Sequence, residues 1–248
     1  MTIVTPVRNG ARFLAETLES VRAQEHRPIE HVVVDGGSTD GTLELLRQSP
    51  DVRWISEPDQ GLYDAINKGL RMAKGDILAY QNADDRYVTP DAVSAAVAHL
   101  EAHPEADVAY GDYRLIDEAG RPLGIRRVTA RPFSLRRLRR GSFIPPHAAF
   151  VRRRVVVEEG HWLDPTLRFP GDWDWFLGMA QAGKRFSPIP KVLAEFRVHE
   201  RSITQTIGWG TILREWRRVC RKRRVSFPLL VLNEVVWAGL RRRLGLPL

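Results

Sequence analysis

An apolar run, Ile77-Leu78-Ala79-Tyr80, ends in Gln81-Asn82-Ala83-Asp84-Asp85, an amide and two carboxylates where a strand gives way to a loop. Hard oxygen ligands of this kind suit Mg²⁺ or Mn²⁺ carrying a diphosphate. A second run of the same design, Val32-Val33-Val34-Asp35-Gly36-Gly37-Ser38, puts another acid at a strand end. Open α/β sheets bind ligands outside the carboxyl ends of their strands, so two acidic ends on one sheet suggest a nucleotide site. A third constellation, Phe169-Pro170-Gly171-Asp172-Trp173-Asp174-Trp175, sets two acids among aromatic side chains. Desolvation by such neighbours raises a carboxylate pKa toward that of a useful general base. Taken singly, the first cluster also reads as a helix-capping turn ahead of Pro90, and Asp172 also reads as a plain helix cap.

The elements that must carry these residues follow from periodicity. Residues 2–5, 30–35, 52–56, 77–81 and 108–115 read as strands. Between them, residues 11–24, a segment through Leu43, Leu45 and Leu46 capped by Ser38 or Thr39, residues 61–74 and a helix from Pro90 to about His103 carry apolar side chains at helical spacing. Gly75 suits the end of the third helix. Repeated βαβ units imply an α/β fold: a mostly parallel, Rossmann-like sheet with helices on both faces. Residues 121–146 are Arg-rich, punctuated by Gly and Pro and poorly periodic, and read as an insertion over the site. A short helix over 173–182, a late strand over 192–198 and a basic helix over 211–224 follow, with an apolar stretch at 228–240.

The chain has 248 residues and is 43% hydrophobic, enough for one large domain and a sizeable core. Its single cysteine, Cys220, excludes an internal disulfide and fits a reducing compartment. No basic and apolar leader precedes the first strand, so no signal peptide is expected. The net charge of +8 is unevenly spread. Residues 1–120 carry 11 Lys/Arg against 21 Asp/Glu, residues 121–154 carry 11 Arg and no acid, and residues 212–243 carry 10 basic against 2 acidic side chains. An acidic half beside two basic segments suggests an anionic partner: a phosphorylated substrate, a membrane surface or nucleic acid. The first strand is followed by Pro6-Val7-Arg8-Asn9-Gly10, without the G-x-G-x-x-G or P-loop pattern. Neither common phosphate-binding loop is present, which disfavours a dinucleotide enzyme and leaves the phosphates to a metal.

Four segments in this order carry a resemblance: Thr5-Pro6-Val7-Arg8-Asn9; Val34-Asp35-Gly36-Gly37-Ser38-Thr39-Asp40-Gly41-Thr42; Gly61-Leu62-Tyr63-Asp64-Ala65-Ile66-Asn67-Lys68-Gly69; and Asn82-Ala83-Asp84-Asp85. Together they resemble the family-2 glycosyltransferases, inverting and metal-dependent enzymes of the GT-A fold, in the bacterial subgroup that builds exopolysaccharide, lipopolysaccharide or glycolipid. The resemblance spans about residues 1–205 and implies a GT-A domain over 1–207 with a basic, amphipathic helical extension over 208–248. It implies a nucleotide pocket of Thr5, Pro6, Asn9, Asp35, Asn67, Asn82 and Ala83, with Asp35 by the uracil or guanine and its ribose. Asp84 becomes the principal ligand of Mn²⁺ or Mg²⁺ and His199 a second. Asp172 becomes the general base for the acceptor hydroxyl. Asp85, His147 and Arg197 become contacts to donor or acceptor. The implied partners are a UDP- or GDP-sugar and a glycan or lipid-linked acceptor.

This chain departs from the family pattern at four places. Gly36 stands where a second acid often follows Asp35, Asn82 replaces the first acid of the D-x-D motif, Gly171 replaces the Glu beside Asp172, and Ile66 replaces an Arg. The Asn82 and Gly36 departures motivate a different class, a non-catalytic module that holds nucleotide-sugar or lipid. The Arg runs raise nucleic-acid binding, which the acidic first half and the lack of a reading motif disfavour. Arg136-Arg137-Leu138-Arg139-Arg140 and the basic tail suit an acceptor bearing phosphate. The stretch 227–240 falls short of the roughly 20 apolar residues that span a bilayer, but suits interfacial contact or packing on protein. The expected location is the cytoplasm, with peripheral contact to the inner face of the plasma membrane.

Overall fold

The first strand, β1 (Thr2–Val7), is buried at all six positions because strands flank it on both sides and helices cover both faces. The computed structural model describes residues 1–227. In chain order the elements to the sheet centre are β1, α1 (Leu14–Arg22), β2 (Glu30–Asp35), α2 (Thr42–Arg47), β3 (Arg53–Ser56), α3 (Leu62–Met72) and β4 (Ile77–Tyr80). They assemble as the parallel array β3-β2-β1-β4, each crossover made by a helix. Side chains alternate across it. Val4, Ile66 and Leu70 share one core under α3, while Val7, Leu14, Val33 and Leu46 share another under α1 and α2. Gly69 lets α3 lie close on β1, since a Cβ there would run into Val4.

Beyond β4 the sheet becomes mixed. The remaining elements are β5 (Arg86–Tyr87), α4 (Ala92–Ala102), β6 (Val108–Ile116), β7 (Pro122–Arg126), α5 (Leu135–Leu138), β8 (Ala149–Arg152), α6 (Arg153–Val157), α7 (Gly171–Gln181), β9 (Phe186–Arg197), α8 (Ile203–Thr206) and α9 (Trp209–Arg223). The order continues β4-β8-β6-β9-β5, with β7 on β6. β6 and β9 are parallel, but β8 runs antiparallel to β4 and β6, as do β5 to β9 and β7 to β6. The expected α/β sheet with flanking helices is present, parallel over its first four strands and mixed over the rest.

Local differences from the sequence reading have local causes. α1 starts at Leu14 instead of Ala11 because residues 10–13 form a turn, in which the Gly10 carbonyl accepts from Phe13 and Leu14. Neither Ser38 nor Thr39 caps α2. Gly41 precedes it at φ 85°, and the Asp40 carboxylate accepts from the Thr42 N–H at 3.1 Å. The segment read as an irregular insertion contains β7 and α5, and β9 begins at Phe186, earlier than the expected Val192.

The basic helix α9 does not stand apart from the domain. Ile212, Trp216, Val219 and Cys220 lie in the same core cluster as Trp173 and Phe176 of α7. Trp173 and Trp216 stack with centroids 4.2 Å apart. Asp174, 1% exposed, is gripped by Arg223 at 2.6 and 3.1 Å and by Lys222 at 2.8 Å. The second acid of the aromatic constellation is therefore a structural anchor. The apolar stretch 228–240 lies outside the described residues. Among the described residues no helix is long and apolar enough to cross a membrane.

Candidate active site

The carboxyl ends of β1 and β4, the start of α7 and the loop after β9 open onto one cavity of about 1620 Å³. Pro6, Asn9, Asn82, Ala83, Asp84, His147, Asp172 and His199 all line it. Residues scattered over 190 positions of sequence thus meet because α/β topology gathers strand ends.

Each polar group there has a definable state. Asp84 Oδ2 lies 2.8 Å from His199 Nε2, and His199 packs on Phe13 with centroids 5.0 Å apart. Asn82 donates to Asp85 at 2.9 Å, while its own Oδ1 is buried without a partner. A carboxylate, an imidazole and an orphaned amide oxygen form a donor set that suits Mn²⁺ or Mg²⁺. Among the described residues no group of three or more His, Cys, Asp or Glu side chains could hold a metal. His147 is buried with both ring nitrogens unpartnered, between Phe196 and Tyr113. Burial pushes its pKa down to about 3, so the ring is neutral at pH 7.

Asp172 sits in the first turn of α7. Its Oδ1 accepts from the Trp173 N–H at 2.8 Å. Burial pushes its carboxyl up to about 6, against the smaller opposing pull of backbone hydrogen bonds. Tyr63 fixes the turn that carries it. The Tyr63 hydroxyl donates to the Phe169 carbonyl at 2.6 Å and accepts from the Gly171 N–H at 3.0 Å. Burial, with the Asp172 charge adding to it, holds the Tyr63 phenol well above its ordinary pKa, so it stays protonated. The glycine at 171 is explained by the same contact: a Cβ there would run into the Tyr63 ring. Gly36 has a matching reason. A Cβ at 36 would run into the carboxylate of Asp59, which lines the cavity. The space beside both glycines is thus filled from α3 or the loop before it.

Five expected site residues do not line the cavity. Thr5 Oγ1 is 2.9 Å from His31 Nε2 in the core. Asp35 is fully buried and accepts from the Gly37 and Ser38 amides and from Ser56 at 2.7 Å. Asn67 pairs like a peptide with Leu163, donating at 2.9 Å and accepting at 3.2 Å. Asp85 is buried, accepts from the Arg197 N–H at 2.9 Å, and is pushed well up by burial and by the charge of Asp84. Arg197, 1% exposed, donates to the Asp84 and Glu118 carbonyls and to Glu16, and its guanidinium lies 4.6 Å from the Phe13 ring centroid. The polar contacts shown for these five are made within the protein. Asn9 makes such a contact and also lines the cavity, since its Oδ1 accepts from the Thr39 N–H at 2.8 Å while it holds φ 53° at the cavity edge. The sequence reading missed Asp59 and Tyr63, which lie in or beside a quoted motif, and Arg168 and Trp216 on the opposite wall.

This fold, with its cavity at the carboxyl ends of a curled mixed sheet, is that of the GT-A glycosyltransferases. Staphylococcus aureus TarS 1–349 in complex with UDP-GlcNAc superposes with a TM-score of 0.73 at 18% identity, over 88% of this chain and 65% of that one. The mannosyltransferase PcManGT of Pyrobaculum calidifontis, in complex with GDP-Man and Mn²⁺, gives 0.62 at 23% identity over 82% and 58%. The chain thus spans under two thirds of both solved structures. Residues 2–160 match the model of glycosyl transferase family 2, and the chain belongs to that family. An uncharacterized glycosyltransferase of Mycobacterium tuberculosis is 38% identical over 187 residues, 73% of this chain and 68% of the relative. A PGL/p-HBAD biosynthesis glycosyltransferase of Mycobacterium bovis is 34% identical over 179 residues, 70% and 67% of the two.

Proposed function

We propose that this chain moves a sugar from a UDP- or GDP-sugar to a hydroxyl of a glycan or lipid-linked acceptor, with inversion, in cell-envelope polysaccharide or glycolipid synthesis. The carrying observation is that Asp172, pushed up to about 6, faces the same cavity as the Asp84–His199 pair. The donor end of the cavity is the strand-end side, where Pro6, Asn9, Asn82 and Ala83 meet the nucleotide and Asp59 takes the place that Gly36 vacates. Asp84 and His199 would hold Mn²⁺ or Mg²⁺, which would neutralise the diphosphate as it leaves. His147, neutral, offers a ring nitrogen to the donor sugar. Asp172, ionised above pH 6, takes the acceptor hydroxyl proton while the oxygen attacks the anomeric carbon from the face opposite the nucleotide. One displacement inverts that centre.

Against a decayed, purely binding module stands the Asp59 carboxylate, which lines the cavity and fills the space beside Gly36. Support for the donor class comes from the two neighbours, whose complexes hold UDP-GlcNAc and GDP-Man, and for the pathway class from the PGL/p-HBAD relative. The proposed location is cytoplasmic, with the basic C-terminal extension touching the inner membrane face. The experiment is release of nucleoside diphosphate from UDP- and GDP-sugars with Mn²⁺. Asp172→Asn should abolish turnover while nucleotide still binds; retained turnover rejects the assignment.

A further inference from the structure

The cavity is lined by more cations than acids. Its acids, Asp59, Asp84 and Asp172, sit at the strand ends and the α7 start. The same lining carries Arg8, Arg12 and Arg201, then Arg131, Arg136, Arg137 and Arg140 from α5 and its flanks, and Arg168 from the loop before α7. Arg137 is committed to the wall itself, donating to the Val128 carbonyl at 3.2 Å with its guanidinium 3.9 Å from the Phe143 ring centroid. The guanidinium groups of Arg136, Arg140 and Arg168 have no acidic partner among the described residues, and Arg136, Arg140 and Arg168 are exposed. On α9, Arg218, Lys222 and Arg223 pair with Asp164 or Asp174. Like charges gathered without acids repel, and they persist where a ligand supplies the countercharge.

Beneath them lies an aromatic floor. Trp216 of α9 and Trp173 of α7 line the cavity, and Trp216 Nε1 is buried with no hydrogen-bond partner. The Trp173 indole, by contrast, is satisfied by the Leu138 carbonyl at 2.7 Å. An orphaned indole donor under a row of free guanidiniums asks for a ligand oxygen.

We infer that Arg136, Arg140 and Arg168, with Trp216 beneath them, form an acceptor subsite that takes a phosphate-bearing acceptor. This rests on the transferase reading, and adds to it the chemical class of the acceptor. Guanidinium forks bind phosphate oxygens bidentately, and the Trp216 N–H is a further donor to a ligand oxygen. Asp172 lines the same cavity, where an acceptor hydroxyl must arrive. The phosphate belongs either to a lipid carrier or to a soluble phosphoglycan.

Calorimetric binding of farnesyl diphosphate, glucose 1-phosphate and farnesol, with UDP or GDP and Mn²⁺ saturating the donor end, tests this. Farnesyl diphosphate should bind and farnesol should not. The Arg136→Ala/Arg140→Ala variant should weaken the phosphate ligand at least about tenfold, and Arg136→Lys/Arg140→Lys should restore part of it. A preference for farnesyl diphosphate over glucose 1-phosphate assigns a lipid carrier; equal binding assigns a soluble phosphoglycan. Equal affinity for farnesol, or an unchanged affinity in the Ala variant at an unchanged melting temperature, overturns the subsite. If neither UDP nor GDP binds, the transferase reading fails on its own, and the same titrations on nucleotide-free protein still decide the subsite.

Discussion

Lowering the pH should silence this enzyme through Asp172 well before the protein reaches the ordinary carboxylate range. Its carboxyl moves from 3.8 to about 6 because burial penalises the charged form. The base works only when ionised, so turnover should be flat above about pH 7 and fall tenfold per unit below 6. At pH 5 about a tenth of the plateau should remain. The same shift has a second consequence, of opposite sign for stability. A shift of about two units is worth about 3 kcal/mol at 1.36 kcal/mol per unit, reduced to about 1–2 kcal/mol because Asp172 is only half-buried. Its protonated form is favoured in the folded state, so this contribution is fully present below pH 3.8 and is lost as pH rises through 6. Asp172→Asn, which cannot ionise, should therefore be more stable than wild type at pH 8 by about 1–2 kcal/mol and no more stable at pH 3.8. The assays are nucleoside diphosphate release with water as acceptor, across pH 4.5–8.5 at saturating Mn²⁺, and urea unfolding of both proteins at the two pH values. Donor affinity measured at each pH separates changes in donor binding from loss of the base. An acid limb centred near 4, or an Asn variant less stable than wild type at pH 8, would refute the buried-base reasoning.

Other perturbations separate the site from its supports. Tyr63→Phe leaves the Phe169 carbonyl and Gly171 amide without their shared hydroxyl; it should cost about 1–3 kcal/mol in urea unfolding and lower kcat without changing nucleotide affinity. Arg223→Ala strips a buried carboxylate, Asp174, of its bidentate partner. A loss of about 3 kcal/mol is expected, at the low end for a broken buried pair because Lys222 still reaches Asp174; a loss below 1 kcal/mol would show that α9 does not anchor α7. Gly36→Asp restores the family's usual residue but drives its Cβ into the Asp59 carboxylate, so nucleotide affinity should fall in titrations, while Gly36→Asp/Asp59→Gly should recover part of it.

Much of this arrangement is legible in the chain. The alternating apolar runs and helices of residues 1–103 give the parallel half of the sheet, because βαβ units repeat at regular spacing. The mixed half is not legible. β8 is four residues and β7 five, too short for a pattern, and β7 is exposed along its length, so no apolar period marks it. Among site residues, a motif keeps ligand-facing and loop-bracing polar groups at fixed spacing alike. Asp84 and Asp172 line the cavity, whereas Asp35, Asn67 and Arg197 spend their polar atoms on neighbouring backbone and side chains. Nothing in residue type separates the two sets. Asp59 and Tyr63 were hidden for a related reason: they occupy the space beside Gly36 and Gly171, a relation that sequence order does not carry.

The most direct test is calorimetric titration of UDP and GDP into wild type, Asp84→Ala and Asp172→Asn, each with Mn²⁺ and with EDTA. One nucleotide should bind wild type and Asp172→Asn tightly in Mn²⁺ and weakly in EDTA, and Asp84→Ala should bind weakly in both. Equal binding in EDTA, or an Asp84→Ala variant that keeps its metal-dependent affinity, would contradict a metal-held donor at this site.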